Sequence, residues 1–424
     1  MLPEYIGSYK YYKNCRFCFS KQIETVINLG LMPLAGGFLK KINDEIIKNE
    51  KYYPLELIFC KNCFLLQTNC VVNGDLLFKD YFYHSSSIQT LVDYFEKNVS
   101  DIKHKFPNAS KTFIVEIGCN DGSFIKSLMR NGYKALGVDP AENIVKPLIA
   151  KGIPIINAYF SEKVAQKIKK EYGKADAIYS FNTLAHIENM HDVLKGIKLL
   201  LKKDGVLAFQ VHYLGSLVKE TQYDMIYHEH QYYYSLLTLQ NFFSQYNMEI
   251  FNIKFVDLHG GSIMYCVQDK NYGNNTVSKK VLKLANKEKT QGLDKAKTFY
   301  DLSEKIKKQK KMLINLLTDL KNKKKKIAGY GASGRATVIM NYCGIDKNYL
   351  DYIVDDSKYK HNAYTPGTHL KIHPSSQLIG KNKPDYVLLF AWSFINEVRK
   401  KHNKYLKHKG KFIIPLPKVQ IINR

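Results

Sequence analysis

The chain has 424 residues, of which 45% are hydrophobic and 13% aromatic. This length and composition predict a folded protein of two or three domains with an ample hydrophobic core. No apolar run reaches the roughly 18 residues that a membrane-spanning helix requires, and no signal-peptide pattern is present. We therefore expect a cytoplasmic protein that has no membrane partner.

Lysine and arginine outnumber aspartate and glutamate by 64 to 38, which gives a formal net charge of +26. A charge of this size is compatible with nucleic-acid binding. Most of the surplus, however, is lysine spread along the whole chain, with local density at 305–311 and 321–326. Nucleic acid is therefore not the expected partner, and a small substrate that carries phosphate fits the charge equally well.

Four of the eight cysteines form two C-x-x-C pairs, at Cys15 and Cys18 and at Cys60 and Cys63. Each pair can place two thiolates on one turn, and two such turns form a tetrahedral zinc site. Because 41 residues separate the pairs, we expect a small domain rather than a single hairpin. A site closed by four cysteines has no open position, so the predicted zinc is structural.

A glycine loop, with Gly118 and Gly122, follows the apolar stretch 113–117. The stretch predicts a buried strand, and the loop predicts a tight turn that opens a helix. About 20 residues further on, a second predicted strand ends at Asp139-Pro140, and an acid at this place holds the ribose in Rossmann-like units.

The polar residues of this loop favour a cationic ligand. Glu116 precedes the first glycine, and Asn120 and Asp121 lie inside the loop. The two carboxylates would repel a pyrophosphate. The pattern resembles the E/D-x-G-x-x-x-G loop of class I methyltransferases, which implies S-adenosylmethionine, a sulfonium that carries an amino acid, as the cofactor.

Two later segments are expected to complete the cofactor site. Asn157 could reach the adenine amino group, and Tyr159 or Phe160 could pack against the adenine ring. Asn182 and His186 follow the fourth predicted strand, and the carboxyl ends of such strands face the ligand crevice. The alternation with helices predicts a doubly wound parallel sheet. Its predicted strands are 113–118, 134–139, 153–157, 177–182 and 205–211.

The run Tyr227-His228-Glu229-His230 places a phenol, a carboxylate and two imidazoles in four consecutive positions. These groups offer a base, a residue that orients it and a hydrogen-bond donor, so acid–base chemistry is the preferred interpretation. The order of residues is not H-E-x-x-H, which excludes a zincin. Metal binding by the two histidines and a purely structural run are the alternatives.

Residues 281–326 are highly charged, and their apolar positions recur mostly at three- and four-residue steps. This pattern predicts one long helix at a seam between domains. Its expected buried stripe is Phe299, Leu302, Ile306, Leu313, Leu316 and Leu320.

The last hundred residues begin with a second glycine loop. Gly329-Tyr330-Gly331-Ala332-Ser333-Gly334-Arg335 follows a short predicted strand, and Asp355 ends the next one. The spacing is that of a dinucleotide fingerprint. Arg335, beside a glycine loop and a helix N-terminus, favours a phosphate. A Rossmann-like domain that no longer binds a nucleotide is the alternative.

This order of parts resembles the sugar C-methyltransferase family, whose members act on nucleotide-linked 4-keto-deoxy sugars. The resemblance spans nearly the whole chain, and its most specific parts are the Tyr-His-Glu-His run and the C-terminal glycine loop. The other segments that carry it are Leu29–Leu39, Tyr81-x-Tyr83-x-Ser85-Ser86, Asn182-x-x-x-His186, His259–Ser262, Tyr364–Thr368 and Ala391-Trp392. The pair Gly36-Gly37 departs from the pattern, in which an asparagine is expected.

The resemblance implies a role for each motif. His230 is the expected base, with Glu229 and Tyr227 beside it, while His186 lies across the site and Tyr83 reaches the sugar. His186 and His228 remain alternatives for the base. The residues expected to hold the substrate nucleotide are Gly331, Ser333, Gly334 and Arg335.

The expected fold class is α/β, with a class I methyltransferase Rossmann-like core between a small N-terminal zinc-binding domain and a C-terminal Rossmann-like domain. The expected ranges are 1–78 for the zinc-binding domain, 79–285 for the methyltransferase domain, 286–326 for a linking helix and 327–424 for the C-terminal domain.

The expected function is S-adenosylmethionine-dependent C-methylation of a nucleotide-linked 4-keto-deoxy sugar, at C3. The alternatives are an O- or N-methyltransferase on a nucleotide sugar, an RNA methyltransferase, and an oxidoreductase with NAD on the C-terminal domain. The sequence does not fix the sugar, its nucleotide or the oligomeric state, and a monomer is compatible with it.

Overall fold

The computed structural model describes residues 4–423, so residues 1–3, at the start of the first expected domain, and residue 424 lie outside the description. The N-terminal part forms two small antiparallel sheets. Its elements are β1 (Glu4–Ile6), β2 (Tyr9–Tyr11), β3 (Ile23–Pro33), α1 (Asp44–Asn49), β4 (Tyr52–Cys60), β5 (Leu66–Thr68), β6 (Cys70–Val72) and α2 (Gly74–Phe78). The 41 residues between the cysteine pairs thus contain most of the β3–β4 hairpin.

The central part alternates strands with helices. Its elements are α3 (Gln89–Lys105), β7 (Phe113–Ile117), α4 (Ser123–Arg130), β8 (Lys134–Asp139), α5 (Glu142–Ile149), β9 (Ile155–Asn157), α6 (Glu162–Tyr172), β10 (Ala175–Phe181), α7 (Met190–Leu200), β11 (Leu201–His212), α8 (Leu214–Glu220), β12 (Tyr232–Tyr233), α9 (Leu236–Ser244), β13 (Met248–Val256) and β14 (Ser262–Asp269). All five predicted strands are present, with ends shifted by a few residues.

The central sheet has seven strands in the order β13-β14-β11-β10-β7-β8-β9. The five predicted strands pair in parallel, but β14 pairs antiparallel with β11 and with β13. The parallel arrangement predicted for these five strands is therefore confirmed, and β13 and β14, which were not among them, add an antiparallel edge. The loop at 257–261 is short enough to join β13 and β14 as antiparallel neighbours, whereas a parallel crossover needs a dozen or more residues.

Two helices, rather than one, connect the central and C-terminal parts: α10 (Lys279–Thr290) and α11 (Ala296–Asn322). They separate at Gly292, which has a φ of +69°. The buried stripe of α11 contains Leu317 instead of the predicted Leu316, which is only partly buried. This stripe packs on the N-terminal part, where the ring centroids of Phe59 and Phe299 lie 5.1 Å apart.

The C-terminal part is a second Rossmann-like unit with the strand order β17-β16-β15-β18-β19-β20. Its strands are parallel except β20, which pairs antiparallel with β19. Its elements are β15 (Ile327–Tyr330), α12 (Gly334–Cys343), β16 (Tyr352–Asp355), β17 (Ile372–Pro374), β18 (Tyr386–Leu389), α13 (Ile395–Lys401), α14 (Asn403–Lys407), β19 (Lys411–Ile414) and β20 (Gln420–Ile422).

The first and central parts share a sheet. Strand β12, which follows the Tyr-His-Glu-His run, pairs antiparallel with β5 and completes the order β12-β5-β4-β3. Tyr232 and Tyr233, which begin one residue beyond the run, are therefore paired with the zinc-binding part. Within residues 4–423, no helix has both the length and the apolar character needed to cross a membrane.

Candidate active site

The four predicted zinc ligands meet at one point. The Sγ atoms of Cys15, Cys18, Cys60 and Cys63 all lie within 4.8 Å of one another. The Sγ atoms of Cys15 and Cys63 are 3.5 Å apart, as are those of Cys18 and Cys60. Tetrahedral zinc with thiolate bonds of about 2.3 Å requires sulfur separations of about 3.8 Å. The donor set and its spacing therefore fit one structural zinc ion.

The first glycine loop turns as predicted, although its glycines pack against protein. Gly118 and Gly122 have φ of +77° and +66°, which favours glycine. A Cβ at Gly118 would overlap the side chain of Thr183, and one at Gly122 would contact Ile155. Both glycines thus shape the turn, and Thr183 covers the first of them.

The acids around this loop fit a cationic cofactor. Glu116 is buried, and its Oε2 has no hydrogen-bond partner. Burial, and then the neighbouring Asp139 and Asp121, raise the pKa of Glu116 well above its ordinary value. An ammonium or sulfonium group would relieve this accumulation of carboxylates. S-adenosylmethionine carries both groups, so the residues present fit it.

Asp139 is positioned for a ribose at the end of β8. Its Oδ2 accepts from the backbone N–H of Asn120 at 2.8 Å, and its Oδ1 accepts from that of Ala141 at 2.9 Å. Each carboxylate oxygen has a second lone pair that can accept from a hydroxyl. Pro140 follows and is partly buried. Burial raises the pKa of Asp139, and the two backbone N–H groups oppose this shift.

The first glycine loop also forms hydrogen bonds with residues 83–86, which precede α3. Asn120 has a φ of +48° and accepts from the backbone N–H of Ser85 at 2.9 Å. Its Nδ2 donates to the carbonyl of Tyr83 at 2.9 Å. Asp121 accepts from the N–H of Ser86 at 2.7 Å. The Tyr81–Ser87 segment is therefore hydrogen-bonded along the rim of the cofactor loop.

The three residues expected near adenine differ in their placement. Asn157 donates from Nδ2 to the carbonyl of Asp139 at 3.0 Å, which leaves its Oδ1 available. Tyr159 is 44% exposed, and its hydroxyl donates to Asp75 at 3.1 Å. The prediction that Phe160 could pack against adenine was wrong, because its ring is buried in the core and packs against Gly196 on α7. It cannot stack on a ligand in the cleft.

Asn182 and His186 lie at the end of β10, as predicted. Asn182 has a φ of +55°, a conformation that is uncommon outside glycine and is frequent at functional sites. Its N–H donates to the carbonyl of Gln210 at 2.8 Å. The ring of His186 lies 5.0 Å from that of His230 and stacks on Phe78 at 5.7 Å. Burial, and then His230, lower the pKa of His186 well below its ordinary value.

His230 and Tyr227 form a hydrogen-bonded pair. The Nδ1 of His230 lies 2.8 Å from the carbonyl oxygen of Met225, and its Nε2 lies 2.9 Å from the hydroxyl of Tyr227. A carbonyl can only accept, so Nδ1 carries the proton and Nε2 accepts from Tyr227. Burial lowers the pKa of His230 to about 4 and raises that of Tyr227 well above its ordinary value. At neutral pH the imidazole is therefore neutral, and the phenol keeps its proton.

Glu229 lies beside this pair and contacts Tyr81. The Tyr81 hydroxyl donates to Oε2 of Glu229 at 3.3 Å, and burial raises the pKa of Glu229 to about 7. Tyr83, the predicted residue, is 37% exposed, with its ring centroid 6.4 Å from that of Tyr81. A Cβ on Gly36 would lie 3.5 Å from Oε1 of Glu229. The glycine pair that stands where the family pattern has an asparagine is therefore next to this carboxylate.

His228 does not belong to the cluster. It is 1% exposed, its Nε2 lies 3.3 Å from the carbonyl oxygen of Pro54, and its ring contacts Tyr53. The side chain therefore packs on the zinc-binding part. Of the three candidate bases, only His186 and His230 face each other.

The second glycine loop lies next to Tyr227, in the cluster that contains His230. A Cβ on Gly334, the first residue of α12, would lie 3.1 Å from Cβ of Ala35 and 3.8 Å from the ring of Tyr227. Ser333 caps α12 and accepts from the N–H of Ala336 at 3.4 Å. Gly331 has a φ of +92°. All three parts of the chain thus meet at the start of α12.

Arg335 already has partners within the protein. Its Nε donates to Oδ2 of Asp224 at 2.7 Å, its Nη1 donates to Oγ of Ser393 at 3.0 Å, and its guanidinium lies 4.8 Å from the ring centroid of Trp392. Trp392 donates to the same Asp224 oxygen at 2.8 Å. Contact with a phosphate would therefore use only the remaining Arg335 N–H groups.

Two partly buried histidines near the cluster carried no assigned role in the sequence. His212 has Nε2 2.7 Å from Oε1 of Gln222, so this nitrogen donates, and burial lowers its pKa to about 3. His259, with a φ of +54°, has its pKa lowered to about 4 by burial and then by Arg335. The glycine pair after His259 was the available signal for this turn. The contact of Tyr81 with Glu229 had no local signal.

Family models match three consecutive stretches of the chain. The "Putative zinc binding domain" matches residues 15–78, the "Methyltransferase domain" matches 92–252, and the "C-methyltransferase C-terminal domain" matches 257–417. The chain is also 29% identical to C-methyltransferase NovU of Streptomyces niveus over 409 residues, which cover 96% of each chain.

Two solved structures that resemble this chain each cover less than half of it. The PH0226 protein from Pyrococcus horikoshii shares 15% identity, with a TM-score of 0.36 over 44% of this chain and 95% of its own. Magnesium protoporphyrin IX methyltransferase from Synechocystis, solved with S-adenosylmethionine, shares 15% identity, with a TM-score of 0.30 over 43% of this chain and 79% of its own.

The matches follow the order of parts that the resemblance predicted, and the full-length relative is a C-methyltransferase. The cysteine cluster fits zinc, and the acidic loop fits the cationic cofactor. The chain is therefore an S-adenosylmethionine-dependent methyltransferase whose C-terminal stretch matches the C-methyltransferase C-terminal domain.

Proposed function

We propose that this enzyme is a cytoplasmic C-methyltransferase that acts at C3 of a nucleotide-linked 4-keto-deoxy sugar. The observation that carries the proposal is the chain of hydrogen bonds from the Met225 carbonyl through His230 to Tyr227. This chain lies where the methyltransferase domain meets the start of α12. A substrate with a nucleotide at one end and a ketone at the other would span that seam.

The ketone explains the need for a base. Carbon is a poor nucleophile unless a neighbouring carbonyl acidifies its proton. The Nε2 of His230 is unprotonated at neutral pH and can take the C3 proton. His186 faces it across the cluster, also with a lowered pKa, and would interact with the substrate from the other side.

The enolate needs a hydrogen-bond donor. Tyr227 remains protonated, so its O–H can turn from Nε2 to the ketone oxygen as negative charge develops there. That rotation also frees the Nε2 lone pair for the C3 proton. Tyr81 and Glu229 form the neighbouring wall, and Tyr83 lies closer to the rim.

S-adenosylmethionine supplies an electrophilic methyl group when bound, and the task of the chain is to position it in line with C3. The residues proposed to hold it are Glu116, Gly118, Asn120, Asp121, Gly122, Asp139, Pro140, Asn157, Tyr159 and Asn182. The residues proposed to hold the substrate nucleotide are Gly331, Ser333, Gly334 and Arg335.

The test is turnover on a panel of dTDP- and GDP-linked sugars with and without a 4-keto group, followed by mass spectrometry in heavy water. We expect one methyl group to be added only to keto sugars. With S-adenosylhomocysteine in place of the donor, we expect deuterium at C3. If sugars that lack the ketone were also methylated, the reaction would be O- or N-methylation instead of C-methylation.

A further inference from the structure

The zinc-binding loop carries a buried arginine whose hydrogen-bond partners are neutral. Arg16 lies between Cys15 and Cys18 and is 5% exposed. Its N–H and Nε donate to Oε1 of Gln67 at 3.2 and 3.1 Å, and its guanidinium lies 4.3 Å from the ring centroid of Tyr232. Five N–H donors in a rigid plane make an arginine in such a site a positioning group with fixed directions.

The guanidinium is directed at one residue of the methyltransferase domain. Its Nη1 donates to Oε1 of Gln231 at 2.6 Å, and its Nη2 donates to the backbone carbonyl of Gln231 at 2.9 Å. Gln231 is 2% exposed. Arg16 therefore fixes both the side chain and the backbone of the residue that follows His230.

Gln231 also holds the segment that carries His186. Its N–H donates to the carbonyl of Ala185 at 2.9 Å, and its Nε2 donates to the carbonyl of His186 at 3.0 Å. The amide orientation is fixed because one end faces a donor and the other faces an acceptor. One side chain thus connects the two histidines whose rings lie 5.0 Å apart.

We propose that Arg16 and Gln231 are positioning residues that set the separation of His230 and His186 from the zinc-binding loop. The proposal rests on the roles proposed above for the two histidines. Domain docking alone does not require this pair, because β12 already pairs with β5 through backbone hydrogen bonds. The backbone ladder reaches Gln231, whose carbonyl also accepts from the N–H of Thr68 at 3.0 Å. Beyond that point the Gln231 side chain, held by Arg16, makes the contact with the His186 carbonyl.

The decisive variant is Gln231→Glu. A glutamate keeps an acceptor for Arg16 and loses the donor to the His186 carbonyl. The matched control is Thr238→Val, which removes a hydroxyl that donates to the carbonyl of Phe64 at 2.9 Å, a contact between the same two domains that lies away from the histidines. Arg16→Lys keeps the charge and loses the directed pair of hydrogen bonds.

The full-length variants would be compared by kcat, KM, zinc content and NMR of 15N-labelled histidine side chains. In Gln231→Glu and Arg16→Lys, we expect kcat to fall about 10- to 100-fold through misplacement of the catalytic groups. We expect KM to stay within a factor of about two, zinc to be retained, and the His186 and His230 ring signals to shift. Thr238→Val should behave like the wild type.

Unchanged histidine signals and kcat in Gln231→Glu would overturn the proposal, as would an equal loss in Thr238→Val or loss of zinc in step with activity. If the wild type fails to methylate or exchange any keto sugar, the proposed function fails instead. The histidine signals of Gln231→Glu, measured against Thr238→Val, would still decide the positioning role.

Discussion

The hydroxyl of Tyr227 lies 2.9 Å from Nε2 of His230, the nitrogen that has no proton of its own. The two groups therefore cannot act independently, because the phenol occupies the lone pair that would receive a proton. A substrate ketone that draws the phenol away would activate the base in the same movement. Proton removal would then depend on correct seating of the ketone.

Replacing Tyr227 by phenylalanine tests this coupling. The variant keeps the ring that packs beside Gly334 and loses only the donor. Loss of one donor to a developing oxyanion costs about 10²- to 10³-fold in rate. We expect methyl transfer and the C3 deuterium exchange supported by S-adenosylhomocysteine to fall together, with cofactor affinity unchanged. His228→Gln, a change in the same run but outside the cluster, is the control; exchange at the wild-type rate in Tyr227→Phe would refute the coupling.

Glu116 gives a prediction for cofactor binding. Burial and two neighbouring carboxylates raise its pKa well above its ordinary value, so burial favours the protonated form of the side chain before a ligand enters. A cation nearby favours the ionised form, so binding should release a proton. Calorimetry of S-adenosylmethionine binding in buffers with different ionisation enthalpies measures that proton.

In Glu116→Gln, we expect the proton release to disappear and the affinity for S-adenosylmethionine to fall about 10- to 100-fold, the value of a hydrogen bond to a charged group. Glu171→Gln, on the exposed surface of α6, should bind like the wild type. Equal proton release in the wild type and Glu116→Gln would place the titrating group elsewhere.

Local patterns predicted the strands and loops, but not the contacts between domains. The strands at 113–117 and 134–139 appear because apolar runs end at turn residues, which is information within ten positions. Tyr81 and Glu229 are 148 positions apart, and Arg335 and Asp224 are 111 apart. No periodicity encodes such contacts, since they depend on how three folded parts pack together.

Two pairs of nearby residues show a second limit of prediction from sequence, which is the direction of side chains. Tyr159 and Phe160 were equal candidates for adenine, yet the phenylalanine turns into the core. His228 and His230 are two positions apart in an irregular segment that precedes β12, and only the second enters the cluster. Outside regular elements, sequence spacing does not state which way a side chain points, so only the fold could separate these pairs.

Arg335 combines an ion pair with a proposed phosphate contact, and two substitutions separate the roles. Asp224 is fully buried, so Arg335→Met alone leaves a charge without its partner and should cost about 3–5 kcal/mol of stability. The double variant Asp224→Asn/Arg335→Met removes both charges and should recover much of that loss. Trp392 can still donate to the asparagine oxygen.

Nucleotide affinity should respond differently. We expect binding of dTDP or GDP, measured by calorimetry, to be weak in the single variant and equally weak in the stable double variant. If the double variant bound the nucleotide with wild-type affinity, Arg335 would not contact the phosphate, and its role would be only to join the two domains.

The raised pKa of Glu229 gives the enzyme a pH-dependent stability of known sign. Burial moves this pKa from 4.5 to about 7, so the folded protein favours the protonated form. This contribution to the free energy of unfolding is fully present below pH 4.5 and is lost as the pH rises through 7, with a total of about 3 kcal/mol.

Glu229→Gln cannot ionise and should lose this pH dependence. Denaturant midpoints at pH 5 and pH 8 should therefore diverge more in the wild type and in the surface control Glu171→Gln than in Glu229→Gln. Equal divergence in all three proteins would mean that Glu229 is already ionised in the fold, with a donor that outweighs its burial.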